Sequence, residues 1–187
     1  LHKDNHEAFG SRSPLSTTQD IINARNRNMT TPLKIPRMAK AEYDSLIARQ
    51  HVSRIAFAAA EHPYIAPFMY VFDGRYLYFL STKYGRKIEY FKTNPKVSVE
   101  IEEYAPDLSA FTFVSLQGTL EEVQESAKKK EVRSLFVDMI RKKGLSPLVL
   151  SALGHSPGEP VEKLAQEERS MVWKLVGVKD IVALKNR

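Results

Sequence analysis

The sequence predicts an α+β domain in which a mainly antiparallel sheet closes into a small barrel. Three observations lead to this fold class. Six segments have the composition of β-strands, and only three longer segments have helical periodicity. Asp73 and Gly74 separate two of the strand segments, and an Asp-Gly pair in that position is a strong hairpin signal. Closure into a barrel would leave the sheet without exposed edges.

The predicted elements follow the order helix, three strands, helix, two strands, helix and strand. Residues 1–35 contain scattered Ser, Thr, Asn, Pro and charged residues with little periodicity. This pattern predicts a flexible N-terminal arm, or an arm that packs on a partner subunit. We expect the folded domain to comprise residues 36–187. Its first helix is predicted in residues 39–50, where Tyr43 and Ile47 lie on one face.

The first three strands are predicted at residues 52–59, 64–72 and 75–81, because these segments are rich in aromatic and β-branched residues. A helical pattern then begins at Gly85 and ends at an Asn-Pro pair, since the residue before a proline is disfavoured in a helix. The first half of the barrel is therefore expected to be a three-stranded meander followed by a helix.

The second half begins with strict alternation of apolar and polar residues in 96–104, which predicts a strand with one face toward water. Residues 111–123 are predicted as its antiparallel neighbour. Residues 126–143 have apolar side chains at helical intervals, and Gly144 is suited to cap that helix. The remaining segments are predicted as a connector with short helical pieces, 144–168, and a closing strand with an irregularity at Gly177, 171–184.

The composition excludes several classes of chemistry. The 187 residues include no cysteine, so disulfides, thiolate metal sites and a cysteine nucleophile are excluded, and any redox chemistry must come from a cofactor. The five histidines lack ligand spacing, so we predict no metal site. No apolar run approaches the roughly 18 residues that would span a membrane, and the N-terminus is too polar for a signal peptide. We therefore expect a cytoplasmic protein with no membrane partner.

The loop between the third strand and the second helix has the features of an anion site. Ser81 and Thr82 provide hydroxyl donors, Gly85 allows close backbone approach, and Arg86 and Lys87 carry positive charge. The helix that follows presents free N–H groups at its start. These residues predict a site for a phosphate ester. The alternative is a basic helix start on the surface, although cations there oppose the helix dipole.

Pro67 lies within an apolar run and gives a second indication of a ligand. Proline cannot donate a hydrogen bond to a sheet, so it belongs at an edge or a bulge. Unpaired backbone groups at Ala66, Phe68 and Tyr70 would then suit a flat heteroaromatic ring with imide and carbonyl edges. An ordinary edge strand explains the same proline.

The run from His62 to Tyr104, followed by the sequence VSLQGTLEEV, resembles the pyridoxamine 5′-phosphate oxidase-related superfamily of FMN-binding split β-barrels. The similarity covers residues 38–125. Its most specific part is Gly-Arg-Lys followed by Asn-Pro-x-Val, between positions 85 and 97. The resemblance implies a split β-barrel that forms a homodimer and binds two FMN molecules in clefts between the subunits.

The resemblance also implies roles for individual residues. Arg86 and Lys87 would bind the FMN phosphate together with Ser81 and Thr82, and Arg54 is a further phosphate candidate. Gln117 would approach the ring or the ribityl chain, and Trp173 would come either from the partner chain or from the buried core. The residues expected to border the isoalloxazine are Pro67, Phe68, Met69 and Tyr70.

Two departures separate the sequence from true pyridoxamine phosphate oxidases. Those enzymes carry an arginine and a lysine in the strand before the hairpin, where this chain has Ala66 and Val71. The chain also lacks their arginine-rich C-terminal signature and ends in DIVALKNR. The pattern is closer to the branch with flavin reductases and nitroimidazole-reductase-like proteins than to enzymes of vitamin B6 oxidation.

We therefore expect an FMN-dependent oxidoreductase that moves hydride or electrons between NAD(P)H or oxygen and a small organic substrate. No side chain is expected to be an obligatory acid or base, although Tyr70 or His62 could donate a proton. One alternative is the same fold binding deazaflavin F420 or haem, or storing flavin without catalysis. Another is a nucleic-acid-binding barrel. It is disfavoured because the aromatic residues of 68–79 lie on both strand faces, whereas a stacking platform needs them on one.

Overall fold

The structure of the protein is a computed structural model that describes residues 34–58 and 61–186. Residues from Ile35 onward belong to one compact unit. Almost all of the predicted N-terminal arm lies outside the described residues, so its behaviour stays a prediction.

Six antiparallel strands form a closed barrel, in the order β1-β2-β3-β6-β5-β4, with β4 pairing back to β1. This architecture confirms the predicted fold class, and the strands appear in the predicted order along the chain. The strands are β1 Val52–Phe57, β2 Tyr64–Phe72, β3 Leu77–Thr82, β4 Lys96–Tyr104, β5 Phe111–Glu122 and β6 Ser170–Lys185.

Five helices flank the barrel in the described part of the chain, and two of them are the short helical pieces predicted in the connector. No helix among these residues has both the length and the apolar character needed to span a membrane. The helices are α1 Lys40–Arg49, α2 Arg86–Thr93, α3 Ser126–Lys143, α4 Val149–Ala152 and α5 Lys163–Gln166.

The barrel interior is filled by the side chains on one face of each strand. Trp173 of β6 is completely buried at its centre. Its ring stacks on Phe91 with centroids 4.8 Å apart and lies 5.8 Å from Phe68 and 6.3 Å from Phe57. Trp173 therefore belongs to the core of its own chain and is not a residue offered to a partner.

A second core lies outside the barrel, where α3 packs on β2, β3 and β6. Val71, Leu80 and Val172 face outward from these strands and meet Val132 and Phe136 of the helix. Helix α3 ends at Gly144, which has the left-handed conformation expected of a C-terminal cap (φ 60°). Helix α3 and the connector residues Leu153 and Leu164 thus cover one outer face of the barrel.

The barrel is split between β2 and β3. These strands pair over only three residues each, from Tyr70 to Phe72 and from Leu77 to Phe79, beside the Asp-Gly hairpin. Beyond this point the first half of β2 pairs only with β1, and the end of β3 pairs only with β6. Continuing the register would place Pro67 opposite Thr82, where proline has no N–H to donate. A gap therefore opens at the end of the strands away from the hairpin.

A β-bulge at Gly118 shifts the register between β5 and β6. A Cβ atom built on Gly118 would lie 2.8 Å from the carbonyl oxygen of Val176 and 3.0 Å from Leu175 Cδ1. The backbone carbonyl cannot move aside without disturbing the sheet. Gly118 thus allows the two longest strands of the barrel to approach closely at the bulge.

We expect Gly118→Ala to lower the free energy of unfolding by about 1–3 kcal/mol, the usual cost of overpacking. Urea unfolding followed by circular dichroism measures the change. Gly158→Ala is the control, because a Cβ at Gly158 meets nothing within 4 Å, and its effect should stay within about 0.5 kcal/mol. Equal stability of the two variants would contradict the close approach at Gly118.

Candidate functional site

The gap between β2 and β3 leads into a cavity of about 430 Å³. One side of the cavity consists of residues from β1, β2 and β3, and the opposite side consists of residues from the connector around α4. Small-molecule sites typically have volumes of about 300–1,000 Å³, so the cavity is large enough for one. Seven predicted site residues line it: Ala66, Pro67, Phe68, Met69, Ser81, Thr82 and Lys87.

The backbone N–H and carbonyl groups of β2 that face the gap are not those expected from the sequence. The N–H of Tyr70 donates to the carbonyl oxygen of His51 at 3.0 Å, so Tyr70 directs its backbone toward β1. Alternate residues of a strand point their backbone groups to the same side, and the β1–β2 register is continuous. Ala66 and Phe68 therefore also face β1. The expectation of unpaired groups at these three residues is wrong, and Pro67 and Met69 face the gap instead.

Lys87 lies at the end of the cavity next to the start of α2. Its ammonium donates to Thr82 Oγ1 at 2.7 Å and to the carbonyl oxygen of Tyr84 at 3.1 Å. Gly85 precedes the helix with φ 92°, a conformation that favours glycine, and so allows the loop to turn beneath the lysine. The loop thus holds a positive charge at a fixed place by means of neutral acceptors.

The charge of Lys87 has no counterion in the described part of the chain. No carboxylate oxygen among these residues lies within 4.0 Å of its ammonium. Partial burial lowers the pKa of Lys87 below its ordinary value. A bound anion would offset that desolvation, because an opposite charge nearby stabilises the ammonium form. The electrostatics of this end of the cavity therefore favour an anionic group.

The neighbouring candidate residues differ in whether their polar groups already have a partner within the chain. Arg86 is exposed and has no ion-pair partner among the described residues, so its guanidinium is free to swing toward an anion held at Lys87. Ser81 Oγ donates to the carbonyl oxygen of Thr82 at 2.9 Å, and Thr82 Oγ1 to that of Tyr84 at 3.4 Å. Both hydroxyls would have to exchange these hydrogen bonds in order to bind a phosphate.

Arg54 and Gln117 are not among the residues that line this cavity, although Arg54 pairs with the cavity residue Pro67 across β1 and β2. Arg54 is exposed on the outer face of β1 and forms an ion pair with Glu102 of β4. Gln117 lines a separate cavity of about 420 Å³, together with Lys96 and Lys179. Within one chain, Gln117 is not placed to contact a ligand that Lys87 holds, because it lines a different cavity.

The two residues considered as proton donors are also outside the cavity. Tyr70 is 1% exposed in the barrel core, and its hydroxyl donates to the carbonyl oxygen of Ile47 at 2.7 Å. Burial raises the pKa of Tyr70 above its ordinary value. Its side chain therefore fixes α1 to the barrel, which excludes the expected position beside a flavin ring. His62 is exposed in the segment between β1 and β2.

Sequence reasoning missed two groups of cavity residues. His51, one of the histidines without ligand spacing, lines the cavity between α1 and β1. The connector contributes Leu145, Val149 and Leu153, which form an apolar wall opposite the gap. Their apolar character within a Pro- and Gly-rich segment was the available signal, but nothing in the sequence specifies which strand they cover. Among the described residues, no group of three or more His, Asp or Glu side chains is placed to hold a metal ion.

These features define a split β-barrel protein with a basic loop at one end of a mainly apolar cavity. Residues 39–170, more than half of the chain, match the family described as pyridoxamine 5′-phosphate oxidase. The chain belongs to this family, which confirms the resemblance identified from the sequence.

The chain is similar to one protein in sequence and to two solved structures in fold. An uncharacterised protein of Rhizobium meliloti is 37% identical over 68 residues, which cover 36% of this chain and 44% of that protein, so less than half of this relative is matched. An FAD-binding protein of Mesorhizobium loti shares the fold with a TM-score of 0.59 and 19% identity, covering 82% of this chain and 99% of that one. A haem storage protein of Vibrio cholerae has a TM-score of 0.54 and 16% identity, covering 78% and 94%.

We expect Tyr70→Phe to lower the free energy of unfolding by about 1–2 kcal/mol, because the buried carbonyl of Ile47 loses its donor. Urea unfolding measures this change. Tyr84→Phe is a matched control, since Tyr84 is 71% exposed. An unchanged stability of the Tyr70 variant would show that the hydroxyl does not fix α1 to the barrel.

Proposed function

We propose that this chain binds FMN in the cavity beside the split and uses it as an oxidoreductase. The observation that carries the proposal is the half-buried ammonium of Lys87, which is held by neutral acceptors at a helix start and has no carboxylate partner in the described residues. A phosphate monoester supplies the missing negative charge. Arg86 closes over it from the surface, and the free N–H groups at the start of α2 add donors.

The ring system of the flavin fits the gap in the barrel. Pro67 and Met69 direct their backbone groups away from β1, toward the place where β3 would otherwise pair. The imide and carbonyl edge of an isoalloxazine can hydrogen-bond to such groups, and the apolar connector wall covers its face. True pyridoxamine phosphate oxidases have two cations where this chain has Ala66 and Val71. Without those cations, Arg86 and Lys87 are the residues that bind the phosphate. Vitamin B6 oxidation is therefore not the activity we propose.

The bound flavin supplies hydride and electron transfer, and the chain supplies binding, orientation and exclusion of water. Lys87 holds the phosphate end, which fixes the ring against Pro67. The connector wall shields that ring from solvent. We propose NAD(P)H or oxygen as the redox partner and a small organic molecule as the substrate, with no side-chain acid or base from Tyr70.

A homodimer completes this proposal. Gln117 lies in a different cavity from Lys87, so only a second chain can bring a Gln117 side chain to the flavin. Apolar side chains are also exposed near the mouth of the Lys87 cavity, where Ile65 is 61% and Val52 46% exposed. A partner subunit that covers these residues would enclose the flavin between the two chains.

Haem is the second candidate ligand, and one observation favours it. His51 lines the same cavity, and a neutral imidazole is a ligand for haem iron. The visible spectrum of the purified protein separates the two, because flavin absorbs near ~370 and ~450 nm whereas haem has an intense band near ~400 nm. Mass spectrometry of the pigment released by heat then separates FMN from FAD and from deazaflavin.

We expect Arg86→Ala/Lys87→Ala to weaken FMN binding at least about 100-fold, because it removes two charge-assisted contacts. Fluorescence titration of the protein with FMN measures the dissociation constant. Lys92→Ala/Lys130→Ala removes the same net charge from exposed helix positions and should bind FMN like the parent. Retention of the parent affinity by the Arg86/Lys87 variant would place the phosphate elsewhere.

The dimer gives a separate prediction. Ile65→Glu places a charge beside the cavity mouth and should shift sedimentation from a dimer toward a monomer, with a parallel loss of FMN affinity. Leu108→Glu tests the specificity, since Leu108 is 63% exposed in the turn between β4 and β5. A dimer that survives Ile65→Glu with unchanged FMN affinity would contradict this interface.

A further inference from the structure

We propose that the end of the cavity opposite Lys87 is a subsite for an acidic group of the substrate, held by Lys143 and His51. This inference rests on the proposed function, because it assigns the phosphate to Lys87 and the substrate to the other end. The acidic group is a carboxylate, or the enolate or phenolate of a conjugated ring.

Lys143 is an exposed lysine two residues before Leu145, which lines this cavity. Its Nζ donates to the carbonyl oxygen of Arg49 at 2.8 Å and thereby joins the C-terminal ends of α3 and α1. No carboxylate oxygen of the described residues lies within 4.0 Å of it. Arg49 itself is neutralised, because its guanidinium lies 2.5 Å from Glu103. The net positive charge at this junction therefore comes from Lys143.

His51 is the cavity residue whose pKa the charge of Lys143 affects. It lies two residues after the end of α1 and lines the cavity wall. Burial lowers the pKa of His51, and the nearby charge of Lys143 lowers it further, so the ring is neutral near pH 7. Its Nδ1 is buried and has no hydrogen-bond partner in the described part of the chain. The proton is then best placed on Nε2, which leaves an N–H donor for an anion.

The rest of the cavity surface selects against other ligands. Among the described residues, no aspartate or glutamate lines the cavity, so an amine would find no counterion there. Val52, Leu145 and Val149 give the region around His51 an apolar surface. An aromatic or aliphatic acid matches both properties, because its body packs on the apolar wall while its anionic group meets His51 and Lys143.

Benzoate and its neutral isostere benzamide test this subsite. The protein loaded with flavin is titrated with each compound, and the change in the visible flavin spectrum gives the dissociation constant. We expect benzoate to bind at least about tenfold more tightly than benzamide, a difference of ~1.4 kcal/mol. Equal affinities, or no binding of benzoate, would overturn the proposal.

Paired variants locate the effect. Lys143→Gln should abolish the preference for benzoate, while Lys142→Gln removes the same charge from the same helical turn and should keep it. His51→Ala should weaken benzoate binding, and His51→Gln should restore part of it because the glutamine amide keeps a donor. An equal response to the two lysine variants would show that only the general positive field matters, which contradicts the subsite.

Failure of the subsite proposal can be distinguished from failure of the proposed function. The dissociation constant of FMN should be unchanged in Lys143→Gln, in contrast to Arg86→Ala/Lys87→Ala. Failure of the parent protein to bind flavin contradicts the proposed function. Calorimetric titration of the flavin-free protein with benzoate and benzamide then still tests the subsite. A preference for benzoate that is lost in Lys143→Gln and kept in Lys142→Gln would support the subsite. A parent protein without that preference would overturn it.

Discussion

The short pairing between β2 and β3 is the constraint on which the candidate site depends. Three residues on each strand pair beside the hairpin, and the ladder stops before Pro67 would have to donate a hydrogen bond to Thr82. Each strand keeps its other neighbour, so the barrel stays closed through β1 and β6 while its wall opens locally. The energetic cost of the missing ladder is limited to a few backbone groups, and those groups become available to a ligand.

A lysine lies at one end of the resulting cavity and another lies near the wall around His51. Lys87 and Lys143 each donate to neutral oxygens, and neither has a carboxylate partner among the described residues. Two nearby arginines differ in this respect, because Arg54 pairs with Glu102 and Arg49 pairs with Glu103. Because a partly buried ammonium is costly without a counterion, the end at Lys87 favours a negative group, whereas Lys143 is exposed. The cavity between them is mainly apolar, which suits a flavin ring whose phosphate meets Lys87 and an acidic substrate that meets His51.

Sequence reasoning predicted the barrel and the basic loop because both depend on local patterns. Each of three patterns determines the structure of the residues that contain it: the alternation in β4, the Asp-Gly hairpin and the Gly-Arg-Lys start of α2. It was wrong about the backbone of Ala66, Phe68 and Tyr70, because the side toward which a strand residue points its N–H depends on the register with β1. A shift by one residue reverses that direction.

The sequence by itself determined the class of fold, the absence of cysteine chemistry, the charge of the loop at Lys87 and the proline that ends the ladder. These follow from residue type and from spacing along short stretches of chain. Only the tertiary structure decided that Tyr70 fixes α1 rather than facing a ligand, that His51 lines the cavity, and that the connector covers it. Those facts depend on contacts between segments far apart in the chain, such as Lys143 with Arg49, and no local pattern specifies them.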